Sequence, residues 1–330
     1  MKYLVTTDIN RLPATPIAMV DGTVPGYSLR EGDLHFDHHR VGGKATQIED
    51  MPEEWDMWEI ETIVTTQVDA DACVAAAYLQ LAPEVSPENE QKLKAIAYDC
   101  DHLKVSEDLE DLADFAAQAV AALKSEGFKL ASKLGLPEDR KGWTEDQKVL
   151  YASECFKQGS EWLIAAIKGD RPYPGELGEA AEYWQQVQSD EQQFIDESRI
   201  TKYKDALLFN MMGWKGRYVD PRASLRAAKR LGLSATITLT QREMKENGWS
   251  YTIASSVKNL LTGFDAFRNL TKAEAVKRGI EVDLVDEFWG TPELNARIGF
   301  DPWGGREAVG GSGWRTPSLL QPKEVIDTLM

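Results

Sequence analysis

The chain has 330 residues, a formal net charge of −17 and 42% hydrophobic residues, which is enough apolar mass for a globular interior. This charge argues against tight, non-specific binding to duplex nucleic acid, because such binding needs many phosphate-neutralising cations. No uninterrupted apolar run is long enough to span a bilayer, so we expect no membrane partner and a cytoplasmic location.

The N-terminal segments predict strands that lead into acidic clusters. Residues 2–7 predict a strand that runs into Asp8. Within residues 16–40, turn-forming residues separate short β-prone segments, which predict further short strands. The triplet Asp37-His38-His39 is therefore expected at the end of such a strand or in the loop after it.

Two further segments repeat this pattern. Residues 59–66 are rich in β-branched side chains and predict a strand, after which Asp69 and Asp71 open an alanine-rich stretch of helical propensity. Residues 94–98 predict another strand, which ends at Asp99. Because ligands gather at the carboxyl ends of strands in an open α/β sheet, we expect the three clusters at one edge of a parallel sheet.

The rest of the chain predicts a helical segment followed by a second α/β unit. Apolar residues recur at helical spacing from Asp108 to about Gln193, and residues 235–240 and 249–255 predict the two strands of a hairpin. The tail is rich in glycine and carries arginines, a composition that can bring backbone N–H groups close to an anion. A surface turn is the alternative interpretation of this tail.

All four histidines lie in two short acidic segments, residues 35–39 and 98–102. Imidazole nitrogens beside several carboxylates suit hard or borderline divalent cations, so this grouping predicts one metal centre. The three cysteines, Cys73, Cys100 and Cys155, have no spacing typical of a zinc site or a disulfide framework, and we expect inert thiols.

These motifs resemble those of the DHH phosphoesterase superfamily. Residues 37–39 are the triplet that gives the superfamily its name, and residues 63–72 are similar to its strand-to-helix motif with two aspartates. The segment that ends at Asp99 resembles its strand with a single metal-binding aspartate. The triplet precedes the aspartate pair here, as in the MYG1-like branch, whereas it follows the pair in most members. Thr65 stands where most members have a histidine.

The resemblance implies a metal-dependent phosphoesterase-like hydrolase that attacks its substrate with a hydroxide activated by a divalent metal. The implied ion is manganese, with magnesium or cobalt as alternatives, and the implied substrate is a nucleotide, a short oligonucleotide or polyphosphate. His39 is implied to contact the phosphate or to protonate the leaving group. The implied metal ligands are Asp37, His38, Asp69, Asp71 and Asp99. The implied substrate-binding residues are Arg306, Gly310, Gly311 and Arg315.

Several of these residues have a second interpretation. The triplet could be a polar loop, and Asp69 or Asp71 could cap the helix that follows. Because Thr65 replaces the expected histidine, the alternative function is a catalytically degenerate module that binds a phosphorylated ligand or a protein partner. The residues whose roles stay open are Asp8, Asp21, His35, Asp101 and His102.

The predicted architecture is an α/β fold. It comprises an N-terminal, mainly parallel sheet with helices on both faces, a helical linker and a smaller C-terminal α/β domain. The predicted boundaries are 1–107 for the metal-binding domain, 108–200 for the helical linker and 201–330 for a DHHA1-like substrate-binding domain. The sequence leaves open whether the chain forms a homodimer.

Overall fold

The computed structural model describes residues 1–39, 43–52, 54–137, 139–178, 181–196, 200–203, 206–210, 220–232, 235–240, 248–255, 263–291, 293–305, 309–313 and 316–329. The chain divides into two compact units, Met1–Trp184 and Gln185–Met330. The predicted α/β class is confirmed, because a parallel sheet with helices is followed by a second sheet with helices. Across the described ranges, every helix is too short or too polar to cross a membrane.

The first unit contains strands and helices in mixed order. The strands are β1 (Lys2–Val5), β2 (Ile17–Val20), β3 (Leu34–Phe36) and β4 (Thr62–Thr65). The helices are α1 (Gln47–Asp50), α2 (Ala70–Leu81), α3 (Pro87–His102), α4 (Ala113–Lys133), α5 (Glu145–Ile167) and α6 (Ala181–Asp196), the last of which runs across the boundary into the second unit.

The sheet of the first unit has the order β1-β4-β2-β3, and every neighbouring pair is parallel. All residues of β2 and β4 are buried, as expected for central parallel strands that are covered on both faces. Ala18 and Val20 belong to the larger core, with α2, whereas Ile17 and Met19 face the opposite side. Since the strands are parallel, β2, β3 and β4 deliver the residues that follow them to one edge of the sheet.

Helix α2 lies at the centre of the first unit. Ten of its twelve residues are buried, and its alanines allow close approach of the neighbouring helices α3 and α5. Gly159 of α5 lies against Cys73 of α2, and a Cβ at position 159 would lie 2.6 Å from the Cys73 sulfur. The absence of a side chain at Gly159 therefore sets how closely these two helices pack.

The strand predicted for residues 94–98 is wrong, because these residues lie inside helix α3. The Ser86 side chain accepts a hydrogen bond from the backbone N–H of Asn89, and Pro87 occupies the first position of the helix. Both are strong signals for a helix N-terminus. Asp99 therefore lies on the last turn of a 16-residue helix rather than at the end of a strand.

The second unit has a mixed sheet of order β5-β6-β7-β8-β10-β9, in which β6 and β7 are parallel and the other neighbouring pairs are antiparallel. The predicted strands 235–240 and 249–255 correspond to β7 and β8 and pair antiparallel as expected. The strands are β5 (Ile200–Tyr203), β6 (Ala206–Asn210), β7 (Ala235–Thr240), β8 (Ser250–Ser255), β9 (Gly304–Gly305) and β10 (Val309–Gly311). The helices are α7 (Pro221–Arg230), α8 (Gly263–Lys277), α9 (Asp283–Phe288), α10 (Leu294–Ile298) and α11 (Pro322–Leu329).

Asp33 anchors the start of β2 in the first unit. Its carboxylate accepts hydrogen bonds from the backbone N–H of Ile17 at 2.8 Å, from the Tyr27 hydroxyl at 2.8 Å and from the Arg30 guanidinium Nε at 2.7 Å. Burial opposes ionisation, but Arg30 and the other donors outweigh it and hold the pKa of Asp33 below its usual range.

We expect Asp33→Asn to lower the free energy of unfolding at pH 7 by about 2–3 kcal/mol, because charge-assisted hydrogen bonds are lost. A depressed folded pKa stabilises the protein above the unfolded pKa of about 4, and this stability disappears as the pH falls through the folded value. Urea unfolding measures this effect. The difference in free energy of unfolding between wild type and variant should be smaller at pH 3 than at pH 7. An equal difference at both pH values would contradict this account.

Candidate metal centre

Asp21 is the first residue after β2, and its backbone has a left-handed conformation with φ of 49°. Its backbone N–H donates to the Phe36 carbonyl and to the Gln47 side-chain oxygen, both at 3.0 Å. Gly22 follows with φ of 132°, and a Cβ at this position would collide with the Thr66 hydroxyl. This sharp turn holds the Asp21 carboxylate at the carboxyl edge of the sheet, where it is buried.

His38 is fully buried just beyond β3, and its ring nitrogens have distinct surroundings. Nδ1 lies 3.3 Å from the Lys44 carbonyl oxygen, which can only accept a hydrogen bond, so Nδ1 carries a proton. Gly43 allows this loop to approach, because a Cβ there would collide with the His38 carbonyl. Nε2 therefore lies on the side of the ring that faces away from this loop.

Three carboxylates surround Nε2 of His38. The distances are 3.2 Å to Asp21 Oδ1, 2.9 Å to Asp71 Oδ2 and 3.5 Å to Asp101 Oδ2. Three carboxylates around one imidazole nitrogen repel each other unless a cation, either a proton on Nε2 or a metal ion, lies between them. Two overlapping triads result, Asp21/His38/His39 and His38/Asp71/Asp101, and the ligand atoms of each lie within 4.8 Å of one another.

The pKa values of the aspartates report how crowded this edge is. Burial raises the pKa of Asp71, and the neighbouring Asp21 carboxylate raises it further. The same two causes raise the pKa of Asp69 well above its usual range. For Asp21, burial acts in the same direction, but hydrogen bonds from His38 and His39 outweigh it and lower the pKa. The buried carboxylates thus repel one another, and the nearby imidazoles supply too little positive charge to offset this repulsion.

Asp71 provides the most direct test of whether a cation fits. It is the second residue of α2 and is completely buried, and its Oδ1 makes no hydrogen bond to any of the residues that the structure describes. A buried acceptor without a donor costs about 1–3 kcal/mol, and more when it is charged. A bound divalent cation would satisfy this oxygen and neutralise its neighbours, so the residues present fit a metal ion.

His39 and Asp37 lie at the rim of this cluster. The His39 side chain is 45% exposed, and its Nε2 lies 2.7 Å from Asp21 Oδ1. Asp37 accepts a hydrogen bond from the backbone N–H of His39 at 2.8 Å and another from the Thr23 hydroxyl at 2.6 Å. The carboxylate of Asp37 therefore fixes the backbone of His39, and His39 is the imidazole that solvent can reach.

Asp69 and Asp99, two of the ligands implied by the resemblance, are placed differently from Asp71. Asp69 caps helix α2 by accepting a hydrogen bond from the backbone N–H of Ala72 at 3.0 Å, while Asp71 points into the cluster. Asp99 is buried on α3. Within the described ranges, Asp37, Asp69 and Asp99 are not members of either triad.

The structure also places the residues whose roles the sequence leaves open. Asp21 and Asp101 belong to the triads. His102 is buried, with Nε2 3.2 Å from the Ala45 carbonyl, and His35 Nε2 lies 2.9 Å from the Thr23 hydroxyl. Asp8 caps the short 3₁₀ turn after β1. Two features of the sequence could have indicated these ligands. Asp21 follows an apolar segment and precedes a glycine, and Asp101 lies between Asp99 and His102.

Thr65 is the last residue of β4 and stands where the resemblance implies a histidine. Its hydroxyl lies 3.2 Å from the Asp21 carbonyl oxygen and 3.0 Å from that of Gln67, and these two carbonyls share its single proton. Thr65 is completely buried, and the hydrogen bond from its hydroxyl to the Asp21 carbonyl stabilises the turn that presents Asp21.

We expect Thr65→Val to weaken manganese binding about tenfold, because residues that orient metal ligands typically have effects of this size. Calorimetric titration of the metal-free protein with manganese chloride measures the change. Thr62→Val is the matched control, since it makes the same substitution at a buried position at the start of the same strand. Equal affinities for wild type and both variants would remove Thr65 from the site.

The implied substrate-binding residues are only partly described. Arg306 and Arg315 lie outside the described residues. Gly310 and Gly311 lie in β10, and a Cβ at Gly310 would collide with the Phe267 ring, whereas one at Gly311 would collide with the Tyr251 carbonyl. Close packing against α8 and β8 therefore accounts for both glycines, whatever else they contact.

Comparisons with known proteins leave the family open. No family model and no curated protein matches the chain. One similar solved structure is a pGpG-specific phosphodiesterase, PggH from Vibrio cholerae, at 10% identity and a TM-score of 0.41, covering 97% of this chain and 84% of that one. Another is an exopolyphosphatase-related protein from Bacteroides fragilis, at 11% identity and a TM-score of 0.26, covering 95% and 69%. At these TM-scores, neither likeness assigns a family or an activity.

Proposed function

We propose that the chain is a divalent-metal-dependent phosphoesterase of the DHH type, which hydrolyses a small phosphate-containing substrate. The observation that carries this proposal is the fully buried Nε2 of His38, which faces the carboxylates of Asp21, Asp71 and Asp101 within 3.5 Å. Burying this many carboxylates around one imidazole is costly unless a cation binds there. The Asp37-His38-His39 triplet and the aspartate pair at 69 and 71 support the same assignment.

The donor set favours manganese, with magnesium or cobalt as alternatives. Carboxylate oxygens and imidazole nitrogen suit hard and borderline ions. Among the described residues, neither Cys73 nor Cys100 belongs to either triad. A ligand set without cysteine disfavours a thiolate-bound zinc ion.

Each residue of the site has a chemical task in this proposal. Asp21, His38, Asp71 and Asp101 would hold the metal, which when bound would supply a water of lowered pKa and a positive charge against the phosphate oxygens. His39, half-exposed at the rim, contacts the phosphate or donates a proton to the leaving oxygen. Asp37 orients His39 through its backbone, and Thr65 holds Asp21.

The charge of the chain supports a small substrate. A net charge of −17 repels long polyanionic duplexes, whereas a nucleotide, a short oligonucleotide or polyphosphate needs only a local cation. The glycine-rich tail with Arg306 and Arg315 stays our candidate for anion binding.

Hydrolysis assays test the proposal directly. Purified protein is incubated with manganese or with a chelator on a generic phosphodiester, a linear dinucleotide and polyphosphate. We expect turnover only with the metal, and loss of turnover in His38→Ala. Asp170→Asn, which changes an exposed aspartate outside both triads, should retain it. Full activity of His38→Ala, or of the chelated wild type, would refute the assignment.

One observation favours the non-catalytic alternative, a module that binds a phosphorylated ligand or partner. Position 65 carries a threonine instead of the histidine that the resemblance implies, and its hydroxyl is hydrogen-bonded to the backbone. Metal content and turnover separate the two functions. At most one ion per chain with no turnover on any substrate of the panel would support the binding module.

A further inference from the structure

Gln47 is a buried polar residue beside the metal centre that no step of the proposed hydrolysis uses. It is the first residue of α1 and is completely buried. Its side-chain oxygen accepts a hydrogen bond from the backbone N–H of Asp21 at 3.0 Å. The Phe36 carbonyl accepts from the same N–H, also at 3.0 Å. This N–H of Asp21 would therefore keep a partner even if residue 47 had an apolar side chain.

The amide nitrogen of Gln47 is the unfavourable part of this arrangement. The orientation of the amide follows from its chemistry, because only the oxygen can accept from the Asp21 N–H. Nε2 is buried, and it donates to no acceptor among the residues that the structure describes. A buried donor without an acceptor costs free energy, whereas an apolar side chain of similar shape has no such cost. Stability alone is therefore a poor reason for a glutamine at this position.

The start of helix α1 fixes the position of Gln47. The Thr46 hydroxyl accepts a hydrogen bond from the backbone N–H of Glu49 at 3.4 Å, and the Glu49 carboxylate accepts one from the Thr46 N–H at 3.2 Å. This reciprocal pair is a capping box, which determines where the helix begins. The Gln47 side chain is therefore presented to the Asp21 turn from a well-defined backbone.

The residues just before Gln47 contact two further parts of the metal centre. The Lys44 carbonyl oxygen lies 3.3 Å from His38 Nδ1, and the Ala45 carbonyl oxygen lies 3.2 Å from His102 Nε2. His102 is the last residue of α3 and directly follows one of the proposed metal ligands. One short segment thus contacts the regions that carry three of the four proposed ligands.

The backbone of Asp21 is held on both of its polar groups by side chains. Gln47 accepts from its N–H, and the Thr65 hydroxyl is hydrogen-bonded to its carbonyl. The left-handed conformation of Asp21 places its Oδ1 3.2 Å from His38 Nε2 and 2.7 Å from His39 Nε2. A residue other than glycine adopts such a conformation where the surrounding contacts hold it.

We propose that Gln47 is a positioning residue of the metal centre. Its side-chain oxygen holds the Asp21 turn, so that the Asp21 carboxylate faces both imidazoles before an ion binds. This inference rests on the proposed metal-dependent function and adds to it a residue outside both triads. The buried amide lowers the stability of the chain, and its oxygen raises the affinity of the site for a metal ion.

Gln47→Met separates positioning from stability, because it removes the side-chain oxygen together with the unpaired N–H groups at similar volume. Urea unfolding with chelator should show a midpoint equal to or above that of wild type. Calorimetric titration should show a manganese dissociation constant about tenfold higher. Gln80→Met is the matched control, since Gln80 donates to the Tyr3 hydroxyl at 3.0 Å and to the Ala76 carbonyl at 2.8 Å. It should lower the unfolding midpoint and leave the manganese affinity unchanged.

Histidine NMR spectra provide a readout that needs no metal. The chain has four histidines, so each set of ring signals can be assigned. In metal-free protein, Gln47→Met should shift the signals of His38 and His39, whose rings contact the Asp21 carboxylate, and Gln80→Met should shift neither. Wild-type protein that binds no manganese would refute the proposed function, and these spectra would then decide the role of Gln47 by themselves.

Three results would overturn the proposal. The first is unchanged manganese affinity of Gln47→Met in a wild type that binds the ion. The second is unshifted His38 and His39 signals in this variant. The third is a Gln47→Met protein that unfolds at a lower urea concentration than wild type or does not fold, because the glutamine would then serve stability.

Discussion

Asp71→Asn is expected to stabilise the metal-free protein and to abolish its stabilisation by manganese. Burial and the Asp21 carboxylate raise the folded pKa of Asp71, so at neutral pH its ionised form opposes folding. Asparagine removes this charge at nearly the same volume. We expect a gain of about 1–2 kcal/mol in the free energy of unfolding with chelator present, in line with the cost of an uncompensated buried carboxylate.

Thermal or urea unfolding with chelator and with excess manganese measures both effects. Ligand concentrations a hundredfold above the dissociation constant should stabilise the wild type by about 2.7 kcal/mol, whereas the variant should gain little. Asp170→Asn changes an exposed aspartate and should behave like the wild type under both conditions. A variant that is less stable than wild type with chelator, and still stabilised by manganese, would show that Asp71 has a structural role only.

The second large effect concerns His39. We expect His39→Gln to lower kcat about 10²–10⁴-fold, the usual contribution of a general acid or base, while the manganese content stays unchanged. The exposure of this ring and its place at the rim of the cluster favour contact with substrate over burial around the ion. His38→Gln should instead lose the metal, because the buried Nε2 of His38 is common to both triads.

Metal analysis of the two glutamine variants decides between catalysis and ligation. Unchanged metal content with a depressed kcat assigns His39 to the chemistry. Loss of metal from His39→Gln would make His39 a ligand, consistent with its triad with Asp21 and His38. Unchanged kcat and unchanged metal content would exclude His39 from both roles.

The parallel sheet and much of its acidic edge could be predicted from sequence. Strands that end before the triplet and before the aspartate pair follow from alternating β-prone segments and turn formers. Asp71 and His38 do lie close together, because parallel strands bring their carboxyl ends to one edge. These predictions succeed because they depend only on local residue patterns and on the parallel order of the strands.

The position of the third acidic cluster, which contains Asp99, could not be predicted in this way. The short apolar run before it is compatible with either a strand or a buried helix. Residues 94–98 belong to α3, and the Ser86-Pro87 signal for the helix start lies too far upstream to be read from the run itself. The choice between Asp99 and Asp101 then depends on helix rotation. Two residues apart on a helix, their side chains point in widely different directions, and Asp101 is the one that lies in a triad with His38.

Asp21 shows a different limit of sequence analysis. Its carboxylate reaches His38 and His39 because the backbone at Asp21 is left-handed and Gly22 continues the turn. Such a conformation is uncommon for a residue other than glycine, although aspartate tolerates it better than most. Propensity alone could therefore suggest a turn at Asp21-Gly22, but not the direction of the side chain.

The most direct test is a crystal structure of the protein soaked in manganese, with the ion located by its anomalous scattering. The account predicts a peak within ligand distance of His38 Nε2 and of carboxylate oxygens from Asp21, Asp71 and Asp101. Binding of manganese at other residues, or absence of a peak beside His38 in crystals that contain manganese in solution, would contradict the proposed centre.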